Sequence, residues 1–289
     1  MKVIGSKSEH TATATLKWVG GKRRIADEIV SHFPDSYGRY FEPFLGGGSV
    51  YFKARPRKAH LTDLNSSLVN YYVHLRDDVT GLMREAQALQ NAFSKLRAQE
   101  EKKNFYLSLR SRYNFDVSKS SLNNAAQFLF LNKTAFNGLY RENAKGDFNV
   151  PFNNAENISL FKREQFVASS AMLQGATIQV ADFRKAVQKA KSGDLVYFDP
   201  PYVPVSATSS FTDYTKSAFG HTAQTALRDL AVQLRSKGVF VVLSNSYSEI
   251  VCELYKGFEL YEISINRLVA AESGSRGKVS EYLIIGRPE

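Results

Sequence analysis

The run Leu195-Val196-Tyr197-Phe198 is continuous, apolar and rich in β-favouring side chains, and it halts at Asp199-Pro200-Pro201-Tyr202. A short apolar run without polar alternation reads as a buried strand of an open α/β sheet. Two consecutive prolines fix φ twice and remove two ladder donors, so the strand must stop and carry its acid on a rigid turn. Open α/β sheets bind their ligands outside the carboxyl ends of the strands, which puts Asp199 where chemistry is expected. The competing role is plainer: an acid that caps a neighbouring segment, beside a tyrosine that packs.

Other strand ends carry related signals. Phe41-Glu42-Pro43-Phe44-Leu45 runs into Gly46-Gly47-Gly48 and then into a helix starting near Ser49. Glycines allow the backbone to come close to a nucleotide-like cofactor, although the spacing is not the dinucleotide fingerprint. Lys58 to Asp63 is a further strand ending on an acid, a place from which a carboxylate accepts hydrogen bonds from ribose hydroxyls. Helix capping by Asp63 or Asn65 is the competing role. Upstream, Gly20-Gly21-Lys22 precedes a helix-like segment at 23–33, a pattern that suits an anionic group or, equally, a glycine turn with Trp18 in the core. Later strands are expected at 176–181, 238–243, 258–264 and 280–286, with helices at 158–173, 184–191, 222–237 and 250–255.

Between these halves, residues 77–114 read as two or more surface helices and 125–131 as an apolar helix. Asn137-Gly138 and Lys145-Gly146 then bracket short strands, which predicts a β-hairpin with aromatics interleaved with Arg141 and Lys145. Such a ribbon can enter a DNA groove. Composition matters here: 38 Lys and Arg against 28 Asp and Glu give a formal charge of +10, which favours a polyanionic partner. A single cysteine, Cys252, excludes an internal disulfide and a multi-cysteine zinc site, and is read as a buried filler. The five histidines lack ligand spacing, so no metal is expected. No apolar run is long enough to span a membrane and no signal pattern opens the chain, so a reduced, cytoplasmic setting without membrane contact is expected. Residues 1–15 read as a flexible tail, 203–220 as a long functional loop of lid type, and 270–278 as mobile.

Four segments, taken in order, carry a family resemblance: Lys17-Trp18-Val19-Gly20-Gly21-Lys22, Glu42-Pro43-Phe44-Leu45-Gly46-Gly47-Gly48, the hairpin from Phe136 to Pro151, and Asp199-Pro200-Pro201-Tyr202. Together they resemble the Dam-type DNA adenine N6-methyltransferases, from Lys17 to about Leu283. The resemblance implies an α/β fold: a seven-stranded, mostly parallel methyltransferase sheet with a helical and β-hairpin target-recognition domain inserted. Residues 16–76 and 170–289 would form the catalytic domain, 77–169 the recognition domain and 1–15 the tail. It further implies S-adenosylmethionine as cofactor, bound by Trp18, Lys22, Phe44, Gly46, Gly48, Asp63, Asp182, Phe183 and Asp199. Asp199, Pro200, Pro201 and Tyr202 would hold a flipped adenine and carry catalysis, while Lys17, Phe136, Asn137, Leu139, Arg141 and Pro151 would contact DNA. The partner is double-stranded DNA, at GATC or a related site, with a cognate restriction endonuclease as a further candidate partner. The chain is expected to be monomeric or weakly self-associating.

The residue types suit that chemistry. Adenine N6 is a poor nucleophile because its lone pair is delocalised into the ring. Two acceptors at its two hydrogens draw it towards a tetrahedral form, and Asp199 and the Pro200 carbonyl can supply them. Tyr202 offers a face for an extruded base. One departure stands out: Phe152 is followed by Asn153-Asn154-Ala155, where the family often continues Gly-Arg-Tyr. A cationic backbone contact and an aromatic are therefore missing or supplied elsewhere, which bears on flanking contacts and the strictness of recognition and not on the chemistry. An N4-cytosine methyltransferase would share fold and cofactor, but Asp at the head of the motif argues against it. A catalytically silent DNA-binding relative is opposed by the intact motif.

Overall fold

The computed structural model describes residues 12–116, 118, 120–202, 219–266 and 278–289. The expectations for residues 1–11, for the loop at 203–218 and for 270–277 lie outside the described residues. The chain forms two compact units, one of Lys22–Leu45, Lys53–Leu64 and Gly175–Glu289, the other of residues up to Gly21, Gly46–Phe52 and Asn65–Gln174.

The first unit is built on a seven-stranded sheet. Its strands are β1 (Tyr40–Glu42), β2 (Ala59–Asp63), β3 (Ala176–Val180), β4 (Leu195–Phe198), β5 (Phe240–Ser246), β6 (Glu259–Asn266) and β7 (Lys278–Gly286), in the order β3-β2-β1-β4-β5-β7-β6. The first five are mutually parallel, and β7 runs antiparallel between β5 and β6. The chain winds outward from β1 to β3 and then returns beside β1 with β4. The winding reverses there, and the crevice at the carboxyl ends of β1 and β4 is the place such sheets offer a ligand. Every residue of β4 and of β5 is buried, which is why neither sequence alternates.

The described helices, in chain order, begin with α1 (Ala26–Ser31), α2 (Ser49–Ala54), α3 (Ser66–Asp77), α4 (Val79–Ser94) and α5 (Gln99–Phe115). They continue with α6 (Leu122–Thr134), α7 (Arg163–Leu173), α8 (Phe183–Ala186), α9 (His221–Ser236) and α10 (Glu249–Leu254). Leu227, Ala231 and Leu234 form one stripe of α9 and join the core with Val196, Phe198, Val241 and Leu243 of the sheet. At the opposite edge of the sheet Asp194 ties β1 to β4. It accepts hydrogen bonds from the Arg39 backbone N–H at 2.9 Å, from Arg39 Nη2 at 2.7 Å and from the Lys191 N–H at 3.0 Å. Burial pushes its carboxyl up, but Arg39 and the backbone donors outweigh burial and hold it below the usual range.

The second unit is helical. In α6 residues 124–132 are all buried, including Asn124, Gln127 and Asn132, so this helix is enclosed on every side and forms the centre of its unit. Phe130 of α6 lies 5.7 Å from Phe93 of α4 and 5.6 Å from Phe105 of α5.

Four expectations are corrected. Thr13 to Thr15 are anchored rather than tail-like: Tyr71 Oη donates to Thr15 Oγ1 at 2.8 Å, Lys133 Nζ to the Thr15 carbonyl at 2.6 Å, and Ser169 Oγ to the Thr13 carbonyl at 3.0 Å. Those partners are remote in sequence, so local composition carried no sign of them. The helix expected at 158–173 starts only at Arg163, because Leu160 is pinned into the core with its N–H on Gln90 Oε1 at 2.9 Å. The helix expected at 184–191 ends at Ala186, and the Lys191 N–H is taken by Asp194 instead. Cys252 is half-buried rather than buried; α10 turns Val251 inward, and one residue further round the helix Cys252 faces partly outward.

Candidate active site

Asp199 leaves β4 at its carboxyl end, beside the point where the winding reverses. Lys22, on the 3-10 turn Lys22–Arg24, is 5% exposed. Its Nζ lies 3.1 Å from Asp199 Oδ1, 3.4 Å from Glu281 Oε2 and 4.3 Å above the Tyr202 ring. Tyr202 Oη donates to Glu281 Oε2 at 2.6 Å. A nearly buried ammonium needs such partners, and here two carboxylates supply them. Burial is the main force raising the Asp199 carboxyl; Glu281 adds to it and Lys22 opposes it, for a rise from 3.8 to about 6. Burial, and then the charges of Asp199 and Glu281, raise the Tyr202 phenol, which stays a neutral donor.

Sequence reasoning grouped Lys22 with the glycine pair before it, whereas its ammonium sits in the acid cluster with Asp199. Glu281 was missed altogether. Its one signal is an acid two residues ahead of the apolar strand run Leu283-Ile284-Ile285.

In the same unit, Asp63 is the last residue of β2. Asn65 Oδ1 accepts the Leu68 N–H at 3.0 Å, so the cap of α3 falls to Asn65 and not to Asp63. Phe44 stacks on Phe183 at 5.7 Å, and Phe219 meets them at 5.5 and 5.7 Å, giving an aromatic group at the carboxyl ends of β1 and β3. Asp182 is already engaged: its Oδ1 accepts the Arg184 N–H at 3.0 Å and Nη1 at 3.3 Å, capping α8.

The helical unit holds the glycine turn. Gly46 has φ of +48°, and a Cβ there would come within 2.8 Å of Trp18 Cδ1. Only glycine meets both demands. Trp18 in turn stacks on Tyr140, with centroids 5.7 Å apart and planes at 21°. Within the sheet unit, a strand-end carboxylate and flat aromatic faces are groups that fit a nucleoside-based methyl donor.

The expected hairpin is present only as two isolated antiparallel bridges, Ala135 to Phe152 and Glu142 to Phe148, with Phe136–Gly138 in a 3-10 turn. Backbone hydrogen bonds cross it, from the Asn149 N–H to the Arg141 carbonyl at 3.1 Å and from the Asn143 N–H to the Asp147 carbonyl at 2.9 Å, and helix α5 holds its outer edge with side chains. Asn114 Oδ1 accepts the Phe148 N–H at 2.9 Å while Nδ2 donates to the Phe148 carbonyl at 3.0 Å. Tyr106 Oη and Arg110 Nη1 donate to the Val150 carbonyl at 2.8 and 3.1 Å. Residues 106, 110 and 114 lie on one face of a helix. Arg141 is exposed, with Nε donating to Asn149 Oδ1 at 2.8 Å. Phe136 is 52% exposed, Pro151 and Asn137 are exposed, and Leu139 is half-buried. Lys17 is gripped by Asn132, which accepts its N–H at 3.0 Å and donates to its carbonyl at 2.6 Å. The Lys17 stem lies so close to Gly138 that a Cβ there would be 2.6 Å from Lys17 Cβ. Asn153 turns the chain, its Oδ1 accepting the Ala155 N–H at 2.9 Å, so the departure from the family pattern is a compact polar turn.

Fold and site define an α/β enzyme of the methyltransferase type, with five parallel strands, an antiparallel insertion and acids at the carboxyl edge. The family model for D12 class N6 adenine-specific DNA methyltransferases matches residues 18–268, and the chain belongs to that family. It is similar to the Type II methyltransferase M1.LlaDCHI of Lactococcus lactis subsp. cremoris, with 42% identity over 272 residues and 93% of each chain covered. The Type II methyltransferase M.MjaIII of Methanocaldococcus jannaschii is 35% identical, over 90% of this chain and 94% of its own. The DNA adenine methylase of Vibrio cholerae is 33% identical over 277 residues, 95% of this chain and 96% of its own. The activity is accordingly methylation of adenine N6 in DNA.

Proposed function

We propose that the methyl donor is S-adenosylmethionine and that the acceptor is an adenine extruded from duplex DNA, in GATC or a related site. The cluster of Lys22, Asp199, Glu281 and Tyr202 at the end of β4 is the observation that carries this. The cofactor supplies an electrophilic methyl group on its sulfonium. Asp199 accepts one N6 hydrogen and the Pro200 carbonyl the other, drawing the nitrogen lone pair out of conjugation. Lys22 favours the ionised form of Asp199, and Tyr202 stacks on the base with the ring face away from Lys22. No strong base is required, since the amino proton becomes acidic only as nitrogen is methylated and water collects it. Asp63 would bind the ribose, Phe44 and Phe183 the purine, and Gly46, Gly48 and Trp18 the remaining approach.

Recognition is assigned to Lys17, Phe136, Asn137, Leu139, Arg141 and Pro151. Asn149 holds the Arg141 Nε, which leaves the two Nη groups directed as a fork suited to O6 and N7 of a guanine. The Type II naming of two relatives supports a restriction endonuclease acting on the same site as partner. Among the described residues no helix is long and apolar enough to cross a membrane, and a cytoplasmic setting agrees with a DNA substrate.

The test uses unmethylated plasmid DNA and labelled S-adenosylmethionine, followed by nucleoside analysis and methylation-sensitive sequencing. Wild type should yield N6-methyladenine at one short site, and Asp199→Ala should be slower by on the order of a hundredfold or more while still binding DNA. Near-normal single-turnover methylation by Asp199→Ala would remove Asp199 from the mechanism.

A further inference from the structure

The chain has little freedom between Asp199 and Tyr202. The two proline rings fix φ at Pro200 and Pro201. A residue ahead of a proline is confined in ψ, which covers Asp199 and Pro200. Peptide planes are rigid. One soft dihedral is left before Tyr202, the ψ of Pro201, and it decides the direction in which Tyr202 leaves the turn.

That dihedral is held. Gln224 Nε2, in the first turn of α9, donates to the Pro201 carbonyl at 2.8 Å. Asn245 Nδ2, on β5, donates to Gln224 Oε1 at 3.1 Å. Asn245 Oδ1 accepts the Ser246 N–H at 2.8 Å. Gln224 and Asn245 are both 0% exposed. A backbone N–H can only donate and a carbonyl can only accept, so both amides have one orientation each. Flipping either would set donor against donor or acceptor against acceptor. Apolar side chains of the same shape would fill this space, though they would leave the Pro201 carbonyl without this donor. What they could not do is direct a carbonyl.

We propose that Gln224, oriented by Asn245, is a positioning residue that sets ψ of Pro201 and so aims Tyr202 at the flipped adenine, an inference that rests on Asp199 to Tyr202 holding that base. Tyr202 is then fixed at both ends, its backbone through Gln224 and its hydroxyl through Glu281. Neither amide touches the substrate; both act through the turn.

The experiment compares Gln224→Leu, Gln224→Glu and Tyr202→Ala in the full chain, using unmethylated plasmid DNA and labelled S-adenosylmethionine. Single-turnover rate, affinity for plasmid and cofactor, and melting temperature are read for each. Gln224→Leu should slow the single turnover about ten- to a hundredfold, the cost of a misplaced reacting group, with affinities held near wild type and a lower melting temperature, since the Pro201 carbonyl and Asn245 Nδ2 both lose this partner. Gln224→Glu adds a readout that mere filling of space would not move. A neutral carboxyl can donate to the Pro201 carbonyl and a carboxylate cannot, so the rate relative to wild type should fall as pH rises. Burial puts that fall above the usual carboxylate range. Should Gln224→Leu fail to fold, this pH trend carries the test, and a flat ratio overturns the proposal. A lowered melting temperature with an unchanged rate per folded molecule also overturns it, provided Tyr202→Ala is impaired. If Tyr202→Ala itself methylates at the wild-type rate, the assignment of the turn to the base falls first, and the proposal with it.

Discussion

Asp199 must be ionised to accept a hydrogen from an amino group, yet burial and the Glu281 charge raise its carboxyl from 3.8 to about 6. The methylation rate should therefore fall as pH drops through about 6. Glu281→Gln removes the like charge and leaves Lys22 to Asp199 alone, so the acid limb of the pH–rate profile should move to lower pH. An unmoved limb would show that Asp199 does not feel Glu281. The same shift has a stability sign. Because the folded state binds this proton more tightly than the unfolded one, ionisation costs nothing below pH 3.8 and its full price above about 6. Asp199→Asn removes this ionisation cost but also one of the two carboxylates that hold the Lys22 ammonium, so its stability relative to wild type should rise as pH goes from 4 to 8. Thermal melts at both pH values check it. Asp63→Ala should weaken S-adenosylmethionine binding by about 1.5–3 kcal/mol, read by calorimetry on the folded variant. Much of this site was legible in the sequence because Asp199 to Tyr202 is contiguous. Glu281 was not, since it lies 79 residues beyond Tyr202 and a single glutamate in a strand has no local signature.

The ribbon from Phe136 to Pro151 is an element whose turns could be read and whose support could not. Gly138 and Gly146 both adopt positive φ, as Asn-Gly and Lys-Gly turns suggested. The support, however, is a helix face, and nothing in the spacing of Tyr106, Arg110 and Asn114 distinguishes three clamps from ordinary helix positions. The helix start at Arg163 was lost for the same reason, being set by Gln90 from 70 residues away, whereas beyond the stop at Ala186 the Lys191 N–H goes to the nearby Asp194. Clamped in this way, the ribbon presents Arg141 on a fixed support. Arg141→Ala should cost about 1–3 kcal/mol of discrimination at one guanine–cytosine pair. Methylation rates on a panel of single-pair variants of the preferred site decide it, and a uniform slowdown would make Arg141 a backbone anchor.

On the scale of the whole molecule, the charge of +10 was plain from composition, and its role can be measured. The logarithm of DNA affinity should fall linearly with the logarithm of salt concentration, by about 0.9 per phosphate neutralised. Arg141→Ala should keep the wild-type slope, and a slope shallower by about 1 would reassign it to phosphate. The number of strands and their mostly parallel sense were legible as well, whereas the position of β7 inside the sheet was not, because it depends on where the chain returns. That position has a consequence in time. β7 is the last of the seven strands to leave the ribosome, and until it does β5 is an open apolar edge. Glu281, which steadies Lys22 and Tyr202, arrives with it. A nascent chain therefore carries Lys22, Asp199 and Tyr202 before the acid that joins them has been made. A chain cut short ahead of Glu281 should lack methylation activity, which transfer of a labelled methyl group to plasmid DNA checks.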